Sequence, residues 1–242
     1  MIVMSPTNSP TIHDSPFTRH GFFVTGTDTG VGKTLVACAL LHAFAERNLR
    51  VVGMKPVAAG AELQDGRLVN DDVKALNQAG NVAAPHELVN PYCFRPPIAP
   101  HIAAAEAGIV IELERVMHAY RRLAATADCV VVEGAGGFLV PLSPHRDTSD
   151  LAVELGLPLI LVVGMRLGCL NHALLTEAAI RSAGLRLAGW VANHIDAQMT
   201  RSDENVAVLR TRLHAPLLAR IPYGESTDAT RVARQLRVDL LQ

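Results

Sequence analysis

Short apolar runs alternate along the chain with longer stretches in which apolar positions recur every three or four residues. The apolar runs lie at residues 21–25, 50–55, 129–133, 159–163, 187–195 and 217–221. Runs without polar alternation indicate strands that are buried on both faces of a parallel sheet. The stretches between them predict helices at residues 33–47, 70–78, 111–126, 149–155, 171–183 and 201–213. This alternation predicts a single α/β domain with a doubly wound, mostly parallel sheet.

Three segments fall outside the alternation. Residues 57–69 are expected to form a loop after the second strand. Residues 85–101 hold five prolines, which exclude a central strand or a helix interior and predict an ordered surface loop. Residues 1–19 combine prolines with Ser, Thr and Asn and lack the basic start and apolar centre of a signal peptide. We therefore expect a flexible N-terminal tail at 1–19 and a folded domain at 20–242.

The composition of the chain argues against several classes of function. Of all residues 49% are apolar, and the formal net charge of −1 disfavours a general nucleic-acid surface. The four cysteines are widely spaced and form no C-x-x-C pair, so reduced thiols are expected rather than a disulfide framework or a zinc site. No apolar run approaches the roughly 18 residues that span a membrane. These features predict a cytoplasmic protein without a nucleic-acid or membrane partner.

A glycine-rich stretch, residues 26–34, stands between the first predicted strand and the first predicted helix. Backbone N–H groups of such a turn point at a bound phosphate, and the helix dipole adds favourable charge. Lys33 is expected to reach the terminal phosphates, and the Thr34 hydroxyl is expected to ligate Mg²⁺. The strict phosphate-loop pattern would place a glycine at Thr27, whereas this chain has it one residue earlier, at Gly26. Despite that irregularity, strand, turn and helix together predict a nucleotide site.

Acidic residues follow two other predicted strands. Glu133 ends an apolar strand and runs into the glycine-rich residues 134–137. A carboxylate there is costly to bury unless it is paired or binds a cation, so we interpret it as a Mg²⁺ ligand; a loop-bracing glutamate is the alternative. Asp71 and Asp72 open the helix after the second strand, where Asn70 or Asp71 is expected to cap it. One aspartate is expected to act as a cap and the other as a second carboxylate ligand of Mg²⁺.

Two further polar residues lie at strand ends. Lys55 is the candidate second cation facing the phosphates, where it would stabilise charge that develops in phosphoryl transfer. A solvated surface lysine is the alternative. Asn193 offers both a donor and an acceptor, which suits an adenine edge, but a turn-forming asparagine is equally compatible with the pattern.

Taken together, these motifs resemble the dethiobiotin synthetase family. The resemblance covers about residues 21–224 at matching spacing. The segments that carry it are residues 26–34, Lys55-Pro56-Val57, 132–137, Gly168-Cys169-Leu170-Asn171-His172, 189–193, 215–218 and Ile221-Pro222. Members of this family have a phosphate-loop fold and are homodimers with active sites at the subunit interface. They convert 7,8-diaminononanoate, CO₂ and ATP into dethiobiotin, ADP and phosphate, with Mg²⁺ as cofactor.

The resemblance implies a role for each matching residue. Lys33 and Lys55 would be catalytic, and Thr34, Asp72 and Glu133 would hold Mg²⁺. The implied nucleotide-binding residues are Thr29, Gly30, Val31, Gly32, Lys33, Thr34, Asp72, Glu133, Gly134, Ala135, Gly136, Asn193, His194, Pro222, Tyr223 and Gly224. The implied substrate-binding residues are Thr29, Lys55, Ala59, Gly168, Cys169, Leu170 and Asn171. Of these, residues 168–171 of one subunit would receive the carboxylate tail of a substrate bound mainly by the other.

The chain departs from the commoner family pattern at three positions. Gly30 stands where many members have Glu, Ala59 where many have Ser, and Arg166 where Lys is frequent. The first two affect expected substrate contacts, and the third keeps the charge but changes its geometry.

Three alternatives compete with this interpretation. Partitioning and septum-site ATPases usually carry a second lysine five positions before Lys33, where this chain has Asp28. A cobyrinate-type amidotransferase would need an additional glutaminase domain, for which 242 residues leave no room. An inactive nucleotide-binding module would be favoured if Lys33, Lys55 or Glu133 were missing, and all three are present.

Overall fold

A computed structural model describes residues 21–224 and 228–241. The predicted tail at 1–19 lies outside the described residues. The strands are β1 (Gly21–Gly26), β2 (Val51–Met54), β3 (Val57–Ala59), β4 (Glu62–Gln64), β5 (Arg67–Val69), β6 (Tyr92–Phe94), β7 (Cys129–Glu133), β8 (Leu159–Met165), β9 (Leu187–His194) and β10 (Leu217–Ile221). The helices are α1 (Lys33–Ala45), α2 (Asp71–Ala79), α3 (His86–Val89), α4 (Pro100–Glu106), α5 (Leu113–Ala124), α6 (Thr148–Leu155), α7 (Cys169–Ser182), α8 (Ser202–Arg212) and α9 (Ala229–Gln235). A 3₁₀ turn at Val238–Leu240 follows.

Six strands form the central sheet in the order β10-β9-β8-β1-β7-β2, and every neighbouring pair is parallel. All six coincide with predicted apolar runs, so the predicted doubly wound parallel sheet is confirmed. The chain runs from β1 outward to β2, returns to β7 and then crosses to β8 on the other side of β1. Such a change of direction opens a crevice at the carboxyl ends of the strands, where ligands bind in sheets of this kind.

Side chains of the strands point alternately to the two faces of the sheet, and each face packs in an apolar layer against helices. On one face Val24 and Val131 pack with α1, α2 and α9. On the other face Phe23 and Val132 pack with α5 and α6, and Trp190 packs with α7 and α8. Because both faces are covered, a polar residue on these strands survives only near their ends.

Two predicted loops contain regular structure, so the prediction for each was wrong in part. Residues 57–69 include β3 and the antiparallel hairpin of β4 and β5, and residues 85–101 include α3, β6 and the start of α4. Strand β6 pairs with β3 in a small parallel sheet of its own. Pro85 and Pro100 occupy the N-cap of α3 and the first turn of α4, where no backbone N–H is needed. Prolines therefore mark helix starts here.

The start of α2 is settled by a side-chain cap. Asn70 Oδ1 accepts from the backbone N–H groups of Asp72 at 3.1 Å and Val73 at 3.3 Å. Of the two caps considered, Asn70 is therefore the one used. The expectation that one of Asp71 and Asp72 caps the helix was wrong, because both lie in its first turn.

Within residues 21–224 and 228–241, no helix combines the length and apolar character needed to cross a membrane.

Shortening Leu76 to alanine is expected to lower the free energy of unfolding by about 2–5 kcal/mol, because it empties a fully buried position between α1, α2 and β2. Leu63, on the β4–β5 hairpin, is 62% exposed and provides the matched control. Its replacement by alanine is expected to change the free energy by less than about 0.5 kcal/mol. Urea unfolding followed by circular dichroism measures both, and equal losses would contradict the packing described here.

Candidate active site

The phosphate loop, residues 26–34, starts at the last residue of β1 and includes the first two residues of α1. Gly30 and Gly32 have φ angles of 73° and 92°, in the left-handed region that glycine tolerates. A Cβ atom on Gly32 would lie 2.3 Å from the side-chain amide of Asn193. Residues Thr29, Gly30, Gly32, Lys33 and Thr34 line the adjoining cleft, whereas Val31 is buried beneath them.

Thr27 explains the irregular glycine spacing. Its backbone N–H donates to the carbonyl of Val162 at 3.0 Å, and its hydroxyl accepts from the N–H of Gly164 at 3.3 Å. Its backbone is not among those with a positive φ angle, so no glycine is required there. A hydroxyl at this position instead attaches the beginning of the loop to β8.

Lys33 folds back over the loop. Its ammonium donates to the carbonyl oxygen of Asp28 at 2.9 Å. Burial lowers the pKa of Lys33 to about 8, and the nearby Lys55 ammonium contributes in the same direction. Among the described residues no carboxylate is in direct contact with this buried cation, which makes it a suitable partner for a phosphate.

Four side chains from separate elements converge beside the loop. The Lys55 ammonium donates to Glu133 Oε1 at 2.6 Å and to Asp72 Oδ2 at 2.8 Å. The Thr34 hydroxyl lies 2.8 Å from Asp72 Oδ1 and 2.9 Å from Glu133 Oε1. Lys55 directly follows β2, and Glu133 is the last residue of β7. Asp72 and Thr34 are the second residues of α2 and α1. The alternative interpretation of Lys55 as a solvated surface lysine was wrong, because its side chain is 6% exposed.

Burial and ion pairing have opposite effects on the pKa values of Lys55, Asp72 and Glu133. Burial raises the pKa of Glu133, and the Lys55 ammonium only partly offsets that effect. For Lys55, burial favours the neutral form, but the two carboxylates outweigh it and raise its pKa. Burial also opposes ionisation of Asp72, yet Lys55 and the Thr34 hydroxyl hold the pKa of Asp72 below its usual value. The lysine therefore stays charged.

The backbone of Lys55 is held by the last residue of α3 and the residue that follows it. Its N–H donates to the carbonyl of Val89 at 2.8 Å. The buried Asn90 amide donates to the carbonyl of Lys55 at 2.6 Å and to that of Tyr92 at 2.9 Å. Both ends of the Lys55 backbone are thereby fixed, which places its side chain over Glu133.

The oxygen atoms of this group suit a hard divalent cation. Glu133 Oε2 is buried and has no hydrogen-bond partner among the described residues. Two carboxylates and one hydroxyl beside a phosphate site form the partial ligand set that Mg²⁺ takes together with phosphate oxygens and waters. The described part of the chain holds no cluster of three or more His, Cys, Asp or Glu side chains that would bind a metal without such help.

A cleft of about 680 Å³ opens over these groups. Its polar side is formed by the phosphate loop, Lys55, Asp72 and Glu133, with Ala135 and Gly136 beside them. The remaining lining residues are apolar: Val57, Ala59, Pro97, Ile98, Ala99, Pro100 and Val140. Sequence reasoning missed Val140 and the Pro97–Pro100 wall; the proline-rich run itself was the available signal. Gly134 lies below the cleft, where its N–H donates to the carbonyl of Val24 at 3.0 Å.

A second cavity, of about 320 Å³, lies at the ends of β9 and β10. His194, Pro222 and Tyr223 line it, and Gly224 follows them in the chain. Asn193 lies between this cavity and the phosphate loop. Its side-chain N–H donates to the carbonyl of Val31 at 2.8 Å, and its buried Oδ1 has no partner among the described residues. The turn-forming alternative for Asn193 was wrong, because the residue lies within β9.

The turn at residues 168–171 lies apart from both cavities. Gly168, with a φ angle of 95°, caps α7, which begins two residues earlier than predicted. Cys169 is buried, Leu170 is half-buried and Asn171 is exposed. Among the described residues that line the two cavities, none belongs to this turn. Its predicted role in substrate binding therefore stays a prediction, as do the individual ligand assignments above.

Comparison with known proteins adds independent information. Residues 20–231 match a family model described as AAA domain. The ATP-dependent dethiobiotin synthetase BioD of Aromatoleum aromaticum (strain DSM 19018 / LMG 30748 / EbN1) is 54% identical over 217 residues, which cover 90% of this chain and 96% of that protein. The protein of the same name from Nitrosospira multiformis (strain ATCC 25196 / NCIMB 11849 / C 71) is 56% identical over 218 residues, covering 90% and 95%.

Two solved structures resemble the fold. The MinC:MinD cell division protein complex of Aquifex aeolicus gives a TM-score of 0.54 at 17% identity, covering 91% of this chain and 88% of that one. A ParA family ATPase from Chlorobium tepidum TLS gives 0.53 at 17% identity, covering 92% and 96%. At this identity the likeness shows the fold alone, and it confirms the predicted phosphate-loop fold with a mostly parallel sheet.

Replacing Lys55 by methionine is expected to lower the free energy of unfolding by about 3 kcal/mol, because Glu133, 1% exposed, loses its buried counter-ion. Adding Glu133→Gln to that variant removes the stranded charge and is expected to recover most of the loss. Urea unfolding measures each variant.

The matched control for this prediction is Arg121→Met. Arg121 pairs with Glu114 at 3.2 Å, but their side chains are 62% and 79% exposed. Loss of such a pair is expected to change stability by less than about 1 kcal/mol. If Lys55→Met and Arg121→Met cost the same, the Lys55–Glu133 pair is not buried as described.

Proposed function

The chain belongs to the ATP-dependent dethiobiotin synthetase family, and from this membership we propose that it closes the ureido ring of dethiobiotin from 7,8-diaminononanoate, CO₂ and ATP. ADP and phosphate are the other products. The observation that carries the proposal is the convergence of two buried lysines, Lys33 and Lys55, on one cleft beside the phosphate loop. A reaction whose intermediates are all anionic needs such cations more than it needs a covalent nucleophile.

The proposed chemistry proceeds in three steps. One substrate amine adds to CO₂ and loses a proton, giving a carbamate, which is a poor electrophile. A carbamate oxygen then attacks the γ-phosphorus of ATP, and ADP departs, leaving a carbamic–phosphoric mixed anhydride. The second amine attacks the carbamate carbon, the C–O bond to phosphate breaks, and the ring closes with loss of phosphate and a proton. The protein mainly positions these groups and neutralises their charge.

The two lysines divide the anionic charge between them. Lys33, at the start of α1, would leave the carbonyl of Asp28 to contact the terminal phosphates. Lys55, which its carboxylate partners keep protonated, would face the carbamate and the transferred phosphoryl group. Both ammonium groups line the cleft, so a substrate held there would lie between them.

Thr34, Asp72 and Glu133 are proposed to hold Mg²⁺ together with phosphate oxygens. The buried, unpartnered Glu133 Oε2 supports this assignment. When bound, the ion would neutralise charge on the β- and γ-phosphates. Lys55 and the Thr34 hydroxyl hold Asp72 in place and lower its pKa. Burial raises the pKa of Glu133, so a bound cation would favour the ionised form of that carboxylate.

The adenine base is proposed to occupy the cavity at the ends of β9 and β10. The Oδ1 of Asn193, which has no partner among the described residues, would accept from the exocyclic amine of adenine. His194, Pro222 and Tyr223 line the cavity, and Gly224 follows them in the chain. Burial and the nearby Arg220 lower the pKa of His194, which favours its neutral form, whereas Arg220 and Asp196 add charged groups to the lining.

The aliphatic diamine is proposed to lie in the larger cleft, against Ala59 and the apolar wall of Pro97–Pro100, with Thr29 and Lys55 at its reactive end. The turn at residues 168–171 would serve the substrate of a partner subunit, which requires a homodimer. Two exposed leucines support a covered surface beside that turn: Leu167 is 95% exposed and Leu175 is 62% exposed.

Purified protein supplied with diaminononanoate, bicarbonate, Mg²⁺ and ATP is expected to form dethiobiotin and ADP in equal amounts. Mass spectrometry and a coupled ADP assay measure the two products. Omitting the diamine is expected to stop ADP release. ADP release that continues without the diamine, with no dethiobiotin formed, would contradict the proposal.

Replacing Lys33 by methionine is expected to lower kcat/KM at least 100-fold, because it removes the cation nearest the terminal phosphates. Lys74→Met, an exposed lysine on α2, is the matched control and is expected to keep full activity. Equal activity of the two variants would remove the role assigned to Lys33.

Replacing Thr34 by valine is expected to raise the Mg²⁺ concentration for half-maximal activity at least tenfold, because one of the three proposed protein oxygen ligands is lost. Electron paramagnetic resonance of Mn²⁺ with a non-hydrolysable ATP analogue gives a binding readout that does not depend on turnover. Thr211→Val, at an exposed position of α8, is the control. If Thr34→Val binds Mn²⁺ as the control does, Thr34 is not a ligand.

A further inference from the structure

An ion pair joins the phosphate loop to the turn that precedes α7. Arg166, directly after β8, donates from Nη2 to the Asp28 carboxylate in the loop. The two residues are 138 positions apart in the chain. The pair therefore connects two segments to which the function above assigns different ligands, the nucleotide phosphates and the substrate carboxylate.

Asp28 makes three contacts that shape the loop. Its Oδ1 accepts from the backbone N–H of Thr29 at 2.7 Å, and its carbonyl accepts the Lys33 ammonium at 2.9 Å. Its second carboxylate oxygen accepts Arg166. The Thr29 N–H lowers the pKa of Asp28 most, Arg166 adds to that effect, and slight burial opposes it. Asp28 thus contacts the loop backbone, the Lys33 ammonium and the Arg166 side chain of the distant turn at the same time.

Arg166 is equally central to its own turn. Its carbonyl accepts the N–H of Cys169 at 3.0 Å, in the turn that leads through Gly168 into α7. The position of Arg166, which Asp28 holds, is therefore linked to the position of the first residues of α7. The Thr27 contacts to β8 hold the beginning of the loop, whereas Asp28–Arg166 is the contact that reaches the turn itself.

The pair contributes little to the stability of the fold. The two side chains are 42% and 45% exposed, and ion pairs at such positions contribute at most about 1 kcal/mol. When Lys33 turns from the Asp28 carbonyl to a phosphate, however, Asp28 loses one of its three contacts. The contact with Arg166 is then the one that still joins Asp28 to a residue outside the loop. Loss of the ion pair is therefore expected to weaken ligand binding more than it weakens the fold.

We propose that Asp28 and Arg166 are positioning residues, whose ion pair holds the phosphate loop in register with the turn at residues 168–171 and thereby couples nucleotide binding to substrate binding. This rests on the proposed function in one respect, the assignment of the substrate carboxylate to the turn. Since that substrate would belong mainly to the partner subunit, the pair links the phosphate loop of one active site to the turn that serves the other. Coupling of this kind is reciprocal, so each ligand raises the affinity for the other by the same factor.

The test is a double-mutant cycle with Asp28→Asn and Arg166→Gln, using the full chain with Mg²⁺ and a non-hydrolysable ATP analogue. Calorimetry measures analogue binding with and without saturating diaminononanoate. Each single variant is expected to weaken analogue binding about fivefold, the most that an exposed pair supplies, and to abolish the effect of the diamine. The double variant is expected to bind no more weakly than either single variant. Arg166→Lys, which keeps the charge, is expected to restore most of the loss.

Several results would overturn the proposal. If the two single variants' losses of analogue binding free energy add up in the double variant, the two residues act separately. Unchanged analogue binding in Arg166→Gln would show that Arg166 does not position the loop. A fall in melting temperature larger than that of Arg121→Gln, an exposed pair elsewhere, would indicate a structural effect. Failure of the wild-type protein to form dethiobiotin would instead contradict the proposed function. In that case analogue binding in the cycle, without the diamine, still decides whether the pair holds the loop.

Discussion

A buried carboxylate that needs a cation is the constraint on which the site depends. Glu133 ends a strand whose other residues are all apolar and buried, and its charge cannot be hydrated there. Lys55 supplies the balancing charge, and Thr34 and Asp72 complete the group. Because each of the four comes from a different element, the group forms only when the sheet, α1 and α2 are all in place. Folding and assembly of the site are thus the same event.

The topology of the sheet explains why these elements meet. Strand β1 lies between β7 and β8, and β2 lies beyond β7, so the residues that follow β1, β2 and β7 share one edge. The apolar layers on both faces leave polar side chains no other place on these strands. The same edge continues to β9 and β10, where Asn193 and the second cavity lie. In strand order, one edge therefore carries Lys55, Glu133, the loop that follows β1, and Asn193.

The central sheet was predictable because strands buried on both faces need long apolar runs, and such runs are visible in a single sequence. The strand-end residues Lys55, Glu133 and Asn193 followed from the same reasoning. The pairing of Lys55 with Glu133 did not, since it depends on distances between elements that the pattern does not contain. Strands β3 and β6 and helix α3 have three or four residues each, and tertiary hydrogen bonds stabilise them more than local pattern does. The apolar wall at Pro97–Pro100 was hidden for that reason.

Asn90 links the charged and the apolar parts of the cleft lining. Its single side chain fastens the carbonyl of Lys55 to the start of β6. Strand β6 ends at Phe94, three residues before Pro97–Pro100, which also line the cleft. Loss of the Asn90 amide would therefore release the backbone of Lys55 and the segment that leads to these prolines together, so the charge and the shape of the cleft are not independent properties.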